Sequence, residues 1–145
     1  MTRVPDPLTG DLFAVPAPVV CVPGAMDYDQ TVRQLLGEAI TASGLSSAQI
    51  AARMTELAGV PISEHQVHAW TAPSRTQWRF PLEYLPAFEA ACATTVVTAW
   101  LAGVHGGRLQ VGREVLNAEL GRLERLRDEA GRKIKQLKSV MGEGQ

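Results

Sequence analysis

The sequence predicts an all-α fold of five short helices followed by one long C-terminal helix. Apolar residues recur at three- and four-residue steps through most of residues 27–107, as on one face of an α-helix. Ser-x-x-Gln boxes, glycines and prolines mark where individual helices begin and end. No stretch alternates apolar and polar residues for long enough to predict a β-sheet.

The composition fits one compact domain with an appendage. The chain has 145 residues, 46% of them hydrophobic, and a formal net charge of −1 at pH 7. No apolar run approaches the ~20 residues that span a bilayer. The first residues also lack the basic-then-apolar order of a signal peptide. We therefore expect a cytoplasmic protein without a membrane segment.

Residues 1–26 hold five of the nine prolines and show no helical period. This predicts a flexible proline-rich arm, or an extended strap along the domain. The domain itself is expected at residues 27–107. Its first helix is capped by Asp27 or Asp29 and ended by Ser43-Gly44. The apolar positions of that helix are Val32, Leu35, Leu36, Ala39 and Ile40.

The second and third helices begin with the same local signal. Residues 46–49 and 63–66 both read Ser-x-x-Gln, in which the Ser oxygen accepts an early helix N–H and Gln reaches back to the cap. Between them, Gly59 can take the positive φ of a helix end, and Pro61 cannot continue the helix. The order of helix, turn and short helix predicts a helix-turn-helix.

Each of these two helices has one apolar face. Ile50, Met54 and Leu57 share a face of the second helix. Val67 and Trp70 point inward from the third helix. Four polar residues of the third helix are left towards solvent: Glu64, His65, His68 and Thr71.

A polar loop separates the third helix from the fourth. Pro73 enforces a turn, and Arg75 and Arg79 are candidates for phosphate contacts beside the third helix. Phe80-Pro81 then opens the fourth helix, with Pro at its favoured first position. Thr94 caps a fifth helix. The apolar residues of these two helices are Leu82, Leu85, Phe88, Val96, Val97, Trp100 and Leu101.

The C-terminal segment, residues 108–141, has a heptad pattern. Two series of residues spaced by seven form its seam: Leu116, Leu123, Ala130 and Leu137, and Leu120, Ile134 and Met141. Arg127 falls within the second series. Gly121 and Gly131 each cost ~1 kcal/mol in a helix interior, so this helix needs a partner surface. That surface is either a second copy of the chain or the chain's own domain. We favour a homodimer through Leu116, Leu120, Leu123, Ile134 and Leu137. Alternatively, the basic residues between Arg122 and Lys138 could face DNA themselves.

The helix-turn-helix segment resembles the Cro/C1-type (lambda-repressor-like) DNA-binding domains. The residues that carry the resemblance are Leu45-Ser46, Gln49-Ile50-Ala51, Ile62-Ser63, Val67 and Trp70. The run from Thr55 to Pro61 is longer than the family's usual turn, which predicts an extended first helix or a different angle of the second. The stretch WTAPSR…WRFPLEYLPAFEAAC also resembles small regulators of Mu-like transposable phages.

The resemblance implies a sequence-specific DNA-binding transcriptional regulator of phage or prophage origin, whose partner is double-stranded DNA. The helix that begins at Ser63 would enter the major groove. Its base-reading candidates are Ser63, Glu64, His65, Gln66 and His68. The phosphate-binding candidates are Gln49, Arg53, Arg75 and Arg79. Gln66 is the first choice for base reading, since its amide can pair bidentately with adenine.

One other function fits the sequence. A protein–protein adaptor that has lost DNA binding fits the near-neutral charge and Glu64, whose carboxylate would repel phosphate. An enzyme is not expected, because no residues supply a nucleophile, acid and base at useful spacing. No cofactor or metal is expected either, since His65 and His68 lack a carboxylate or Cys at ligand spacing.

Overall fold

The computed structural model describes residues 17–142, which fold into α-helices without a β-strand. The helices are α1 (Asp29–Ser43), α2 (Ser47–Ala58), α3 (Glu64–Thr71), α4 (Leu85–Cys92), α5 (Val96–Val104) and α6 (Arg113–Gly142). For these residues, the prediction of a mostly helical fold with a long C-terminal helix is confirmed. Two compact units are present, divided between residues 109 and 110, with α1 to α5 in the first and α6 in the second.

The core of the first unit is drawn from all five of its helices. Four helices supply its five largest fully buried side chains, which are Leu36, Ile50, Met54, Val67 and Phe88. Val97 of α5 joins the same cluster. Trp70 and Phe88 each meet the ring of Phe80 edge to face, with ring centroids 5.1 and 5.6 Å apart. Such contacts fix ring orientation in addition to burying apolar area.

Residues 17–26 contain part of the predicted arm, and its first 16 residues lie outside the described chain. The Val19 N–H donates to the Val104 carbonyl at 3.0 Å, and Pro18 forms an isolated antiparallel bridge with His105. Gly106 lies at φ +75°, where a Cβ atom would come within 2.7 Å of the Pro18 nitrogen. Glycine is therefore required where this segment meets the end of α5.

The start of α1 differs from the prediction. Its N-cap is Tyr28, which makes no side-chain cap, and Asp29 is the first helical residue. The Asp29 carboxylate faces Arg33, four residues later in the same helix. Asp27 contributes only a long 3.4 Å hydrogen bond from the Asp29 N–H. Neither Asp is the N-cap, because one is already helical and the other precedes the cap.

The start of α4 also differs from the prediction. A 3-10 turn occupies Leu82–Tyr84, and α4 begins at Leu85, so Pro86 and not Pro81 lies in its first turn. Leu82 is consequently 71% exposed, although its spacing predicts a buried residue. Leu57, also predicted to be buried, is 45% exposed because the last turn of α2 packs on the core through Ala58.

The N-terminus of α5 is capped from another helix. Its N-cap position is Thr95, which makes no side-chain cap, whereas the hydroxyl of the predicted cap, Thr94, accepts a hydrogen bond from the Val96 N–H at 3.3 Å. The buried Glu89 of α4 accepts hydrogen bonds from the Thr98 N–H at 2.9 Å and from the Thr98 hydroxyl at 2.6 Å. A carboxylate at a helix N-terminus satisfies an otherwise unpaired N–H and interacts favourably with the helix dipole.

Candidate nucleic-acid interface

The turn between α2 and α3 is held by side chains from both of its ends. α2 continues to Ala58, so the longer run noted in the sequence is an extension of this helix. Gly59 ends it at φ +71°. The Thr55 hydroxyl accepts a hydrogen bond from the Ile62 N–H at 2.9 Å, and the Ile62 side chain is buried. These contacts place the first residue of α3 directly after the turn.

Both predicted capping boxes are present. Ser46 and Ser63 each accept a hydrogen bond from the backbone N–H three residues later, at 3.2 Å. The amide oxygens of Gln49 and Gln66 in turn accept hydrogen bonds from the backbone N–H groups of Ser46 and Ser63, at 2.9 and 2.8 Å. The two helices are thus started by equivalent local interactions, which sequence spacing alone predicts.

The box restricts what Gln66 can do. Its amide oxygen accepts from both the backbone N–H and the hydroxyl of Ser63. Bidentate pairing with adenine uses the amide oxygen and nitrogen together, so it would require this box to open. With the box closed, the Nε2 group is the part of Gln66 that can approach a base. Gln49 is constrained in the same way by Ser46.

The outward face of α3 is polar. Val67, Ala69 and Trp70 are buried, whereas Glu64, His65 and His68 are exposed. The Glu64 carboxylate lies 3.4 Å from the His68 ring, one turn away, and both side chains are more than half exposed. When His68 is protonated, this pair offsets the negative charge that Glu64 brings to the face.

The loop after α3 contacts the start of that helix. The Arg75 guanidinium donates to Nε2 of His65 at 3.2 Å, which requires the neutral form of the imidazole. The Trp78 ring meets the His65 ring edge to face, with centroids 5.6 Å apart. Arg75 and His65 are exposed, and Trp78 is 43% exposed. We call these three residues, His65, Arg75 and Trp78, the loop cluster.

A buried arginine holds this loop in place. Arg33 of α1 is only 3% exposed, and its guanidinium donates to the carbonyls of Ala69, Trp70 and Ala72 at 3.2 to 3.3 Å. It donates to the carbonyl of Trp78 at 2.8 Å. Arg33 therefore joins the C-terminal end of α3 to the far end of the loop. Sequence reasoning missed this role, although an Arg among the apolar residues of α1, four after an Asp, was a usable signal.

The Asp29 carboxylate completes this arrangement. It accepts from the Arg33 Nε at 3.1 Å and lies 3.6 Å from Arg79. The Arg33 hydrogen bond, aided by the charges of Arg33 and Arg79, holds the pKa of Asp29 below its usual value. Arg79 thus has a counter-ion at the start of α1, although its side chain is well exposed.

The predicted site residues fall into two groups. At the start of α3 the structure brings together Ser63, His65 and Gln66, and Arg75 joins them through the loop cluster. Two other phosphate candidates are paired elsewhere: Arg53 with Glu56 at 2.7 Å, and Arg79 with Asp29. The Arg53–Glu56 pair is exposed on both sides and contributes little stability, whereas the Asp29 carboxylate that faces Arg79 is only 21% exposed.

The predicted dimerisation residues lie on α6, which has no buried residue. Its large apolar side chains are exposed, among them Leu116, Leu120, Leu123, Ile134 and Leu137. Arg122 lies 2.6 Å from Glu119, and their hydrogen bond lowers the pKa of Glu119 and raises that of Arg122. α6 is therefore amphipathic, with an exposed apolar seam along one face.

Comparison of the chain with protein-family models, curated proteins and solved structures finds no match. Between residues 17 and 142, no helix has both the length and the apolar character needed to cross a lipid bilayer. In the same part of the chain, no group of three His, Cys, Asp or Glu side chains is placed to hold a metal ion.

Proposed function

We propose that this protein is a sequence-specific DNA-binding transcriptional regulator, of the phage or prophage kind that its sequence resembles. The observation that carries the proposal is the loop cluster. It sets an arginine and a half-exposed tryptophan beside the exposed N-terminal end of a separately capped α3. In helix-turn-helix proteins the N-terminal end of the second helix contacts base edges, and neighbouring groups bind the phosphates.

The base-reading role falls to the exposed start of α3. His65 and His68 carry ring nitrogens that can donate or accept, and the Ser63 hydroxyl and the Gln66 Nε2 group lie beside them. Glu64 can accept a hydrogen bond from the amino group of cytosine. Its charge opposes phosphate, which makes it suited to selecting a base and unsuited to general affinity.

Phosphate binding falls to Arg75 in the first place, with Gln49, Arg53 and Arg79 as further candidates. The counterpart of Arg75 is a neutral imidazole, so its full positive charge is available to an anion. The overall charge of −1 does not oppose this role, because phosphate binding depends on local charge. Helix-turn-helix proteins commonly bind paired half-sites as dimers, and the uncovered seam of α6 supports dimerisation here.

Selection of genomic DNA fragments by the purified chain, at two salt concentrations, tests this function. We expect selective enrichment that weakens as salt rises, because phosphate binding releases counterions. Arg75→Ala should weaken all sequences together and lower the salt dependence by about one ion, whereas His68→Ala should alter which sequences are selected. Arg132→Ala, which removes the same charge from exposed α6, is the matched control.

The rival function is a protein–protein adaptor, favoured by Glu64 and the exposed apolar seam of α6. It predicts no enrichment of any fragment at the lower salt concentration. Enrichment that is equal for the normal chain and the Arg75→Ala variant would also contradict our proposal, since the loop cluster would then have no part in binding.

A further inference from the structure

The seam of α6 consists of two series of residues spaced by seven. With Leu116, Leu123, Ala130 and Leu137 at the d positions, the a positions are Leu120, Arg127, Ile134 and Met141. Its six Leu, Ile and Met side chains are each at least half exposed, within a helix that has no buried residue. The exposed apolar area along one helix face calls for a partner of matching shape and charge.

We propose that this seam binds the α6 of a second copy of the chain in the antiparallel orientation. The inference rests on the homodimer of the proposed function and adds its geometry. Two features on α6 decide the orientation. One is the charge of the residues that flank the seam, and the other is the pairing of large and small residues along it.

A parallel pair would place like charges together. In that arrangement each g residue meets the e residue five positions further along the partner. Glu119 would face Glu124 of the second copy, and Lys133 would face Lys138. Glu119 is already compensated by Arg122 on its own helix, so the two lysines oppose a parallel pair most strongly. Like charges placed directly opposite are destabilising.

A parallel pair would also stack each seam residue on its own copy. Arg127 would meet Arg127, and in the next layer Ala130 would meet Ala130. The first layer brings two charges together, although Asp128 of the same helix, 3.0 Å from Arg127, compensates them in part. The second layer leaves space where two small side chains meet, and unfilled space in an apolar interface is costly.

An antiparallel pair removes both problems. Every a residue then faces a d residue of the second copy, in the layers Leu116 with Met141, Leu120 with Leu137, Leu123 with Ile134, and Arg127 with Ala130. The small Ala130 leaves room for the long Arg127 side chain. Beside the seam, Glu119 lies next to Val140, Glu124 next to Gly131, and Lys133 next to Leu126. No like charges meet at these flanking positions, and the two Arg127 side chains lie in adjacent layers, ~4.5 Å apart along the axis at ~1.5 Å rise per residue, and not directly opposite one another. The Lys133 methylene groups can cover Leu126.

Disulfide formation between single cysteines reports the orientation directly. In the full chain with Cys21→Ser and Cys92→Ala, Leu120→Cys and Leu137→Cys are made as separate variants. In an antiparallel pair, residue 120 lies ~26 Å from its own copy, at ~1.5 Å rise per residue. A disulfide requires Cα atoms within ~7 Å. We expect covalent dimers when the two variants are mixed under oxidising conditions, and none from either variant alone.

A second variant, in which two charges beside the seam are exchanged, tests whether these charges determine the orientation. Glu124→Lys with Lys138→Glu keeps the net charge but turns both repulsive parallel pairs into attractive ones. We expect it to shift the chain towards the parallel form, so that Leu120→Cys then forms dimers by itself. The control exchange, Glu129→Lys with Lys135→Glu, lies outside the seam and should leave the mixed-variant result unchanged.

Two results would overturn the proposal. Dimers of Leu120→Cys alone in the otherwise normal chain would show a parallel pair. The absence of dimers from the mixture would show that α6 does not bind a second copy, for example because it packs elsewhere on its own chain. The crosslinking experiment contains no DNA, so its result is independent of DNA binding. Crosslinks between residues 120 and 137 in a protein that selects no DNA fragment would uphold the antiparallel orientation and overturn only the regulator function.

Discussion

Arg33 connects three parts of the first unit through one side chain. Its guanidinium bonds Asp29 in α1, three carbonyls at the end of α3 and the Trp78 carbonyl in the loop. Replacement by Ala leaves these acceptors without their donor in a buried place. We expect Arg33→Ala to lower the free energy of unfolding by about 3 kcal/mol.

Urea unfolding of Arg33→Ala beside Arg53→Ala checks this expectation. Arg53 also pairs with a carboxylate on its own helix, but both partners are exposed, so its loss should cost less than about 0.5 kcal/mol. Similar unfolding midpoints for the two variants would contradict the role of Arg33. A weakened Arg75–His65 contact, seen in the imidazole NMR signals of the still folded variant, would further support it.

Ionisation of Asp29 makes the stability of the contacts around Arg33 depend on pH. Its pKa is lowered in the folded chain by the Arg33 hydrogen bond and the nearby charges of Arg33 and Arg79. Because its pKa is lowered, the ionised Asp29 stabilises the fold at pH values above the ordinary pKa of the carboxyl. This stabilisation is lost as the pH falls through the pKa of the folded state. We expect Asp29→Asn to be less stable than the normal chain at pH 7. The difference should shrink in acid, and a constant difference from pH 7 to pH 3 would exclude this linkage.

The two cysteines should differ in reactivity. Burial raises the pKa of the Cys92 thiol to about 11, whereas Cys21 is exposed. Because the thiolate is the reactive form, we expect iodoacetamide at pH 8 to label one cysteine per folded chain and two in urea. Peptide mapping by mass spectrometry should find the first label on Cys21. Equal labelling of both residues in the folded chain would place Cys92 outside the core.

At the scale of elements, the contribution of the α3 capping box to stability can be measured separately from its proposed contribution to DNA selection. Ser63→Ala removes the cap and should cost about 1 kcal/mol of stability. Ser46→Ala removes the equivalent cap of α2 at a similar cost. We expect both variants to unfold at similarly lowered urea concentrations, but only Ser63→Ala to change the DNA fragments that are selected. Identical changes in selection would assign the effect of Ser63 to stability.

The elements that the sequence predicts correctly depend on neighbouring residues. The boxes at residues 46–49 and 63–66 and the positive φ of Gly59 involve atoms a few positions apart, so spacing alone reveals them. The Glu89–Thr98 contact and the bonds from Arg33 to backbone carbonyls escape the same reasoning, because the paired residues lie 9 to 45 positions apart. The start of α4 was misplaced because Pro81 and Pro86 fit the first-turn rule equally well, and tertiary packing selects between them.

The candidate site likewise combines residues whose placement the sequence predicts with residues whose placement depends on distant contacts. The exposed polar residues of α3 are predictable from helical periodicity once Val67 and Trp70 are taken as its inner face. The loop cluster is not, since Arg75 and Trp78 meet His65 only after Arg33 has fixed the loop. Gln66 is suited to base reading by its chemistry, but its amide oxygen already accepts a hydrogen bond in the capping box of α3. Sequence spacing does not show which of these two uses the side chain has.

For the whole molecule, the proposed function depends on joining two copies of the first unit. Linking two binding modules raises affinity for a paired site by about 10²- to 10⁴-fold without new contacts. Ile134→Asp places a charge in the seam of α6 and should convert the chain to a monomer, which sedimentation will detect. Affinity for a fragment with two half-sites should then fall by about 10²-fold or more, while affinity for a single half-site stays unchanged.

Ser139→Asp is the matched control, because it adds the same charge to α6 at an f position, away from the seam. It should remain dimeric and keep its affinity for the paired site. If Ile134→Asp stayed dimeric, the seam would not be the dimer interface. If it became monomeric without losing affinity for the paired site, DNA recognition would lie within one copy, and α6 would serve another partner.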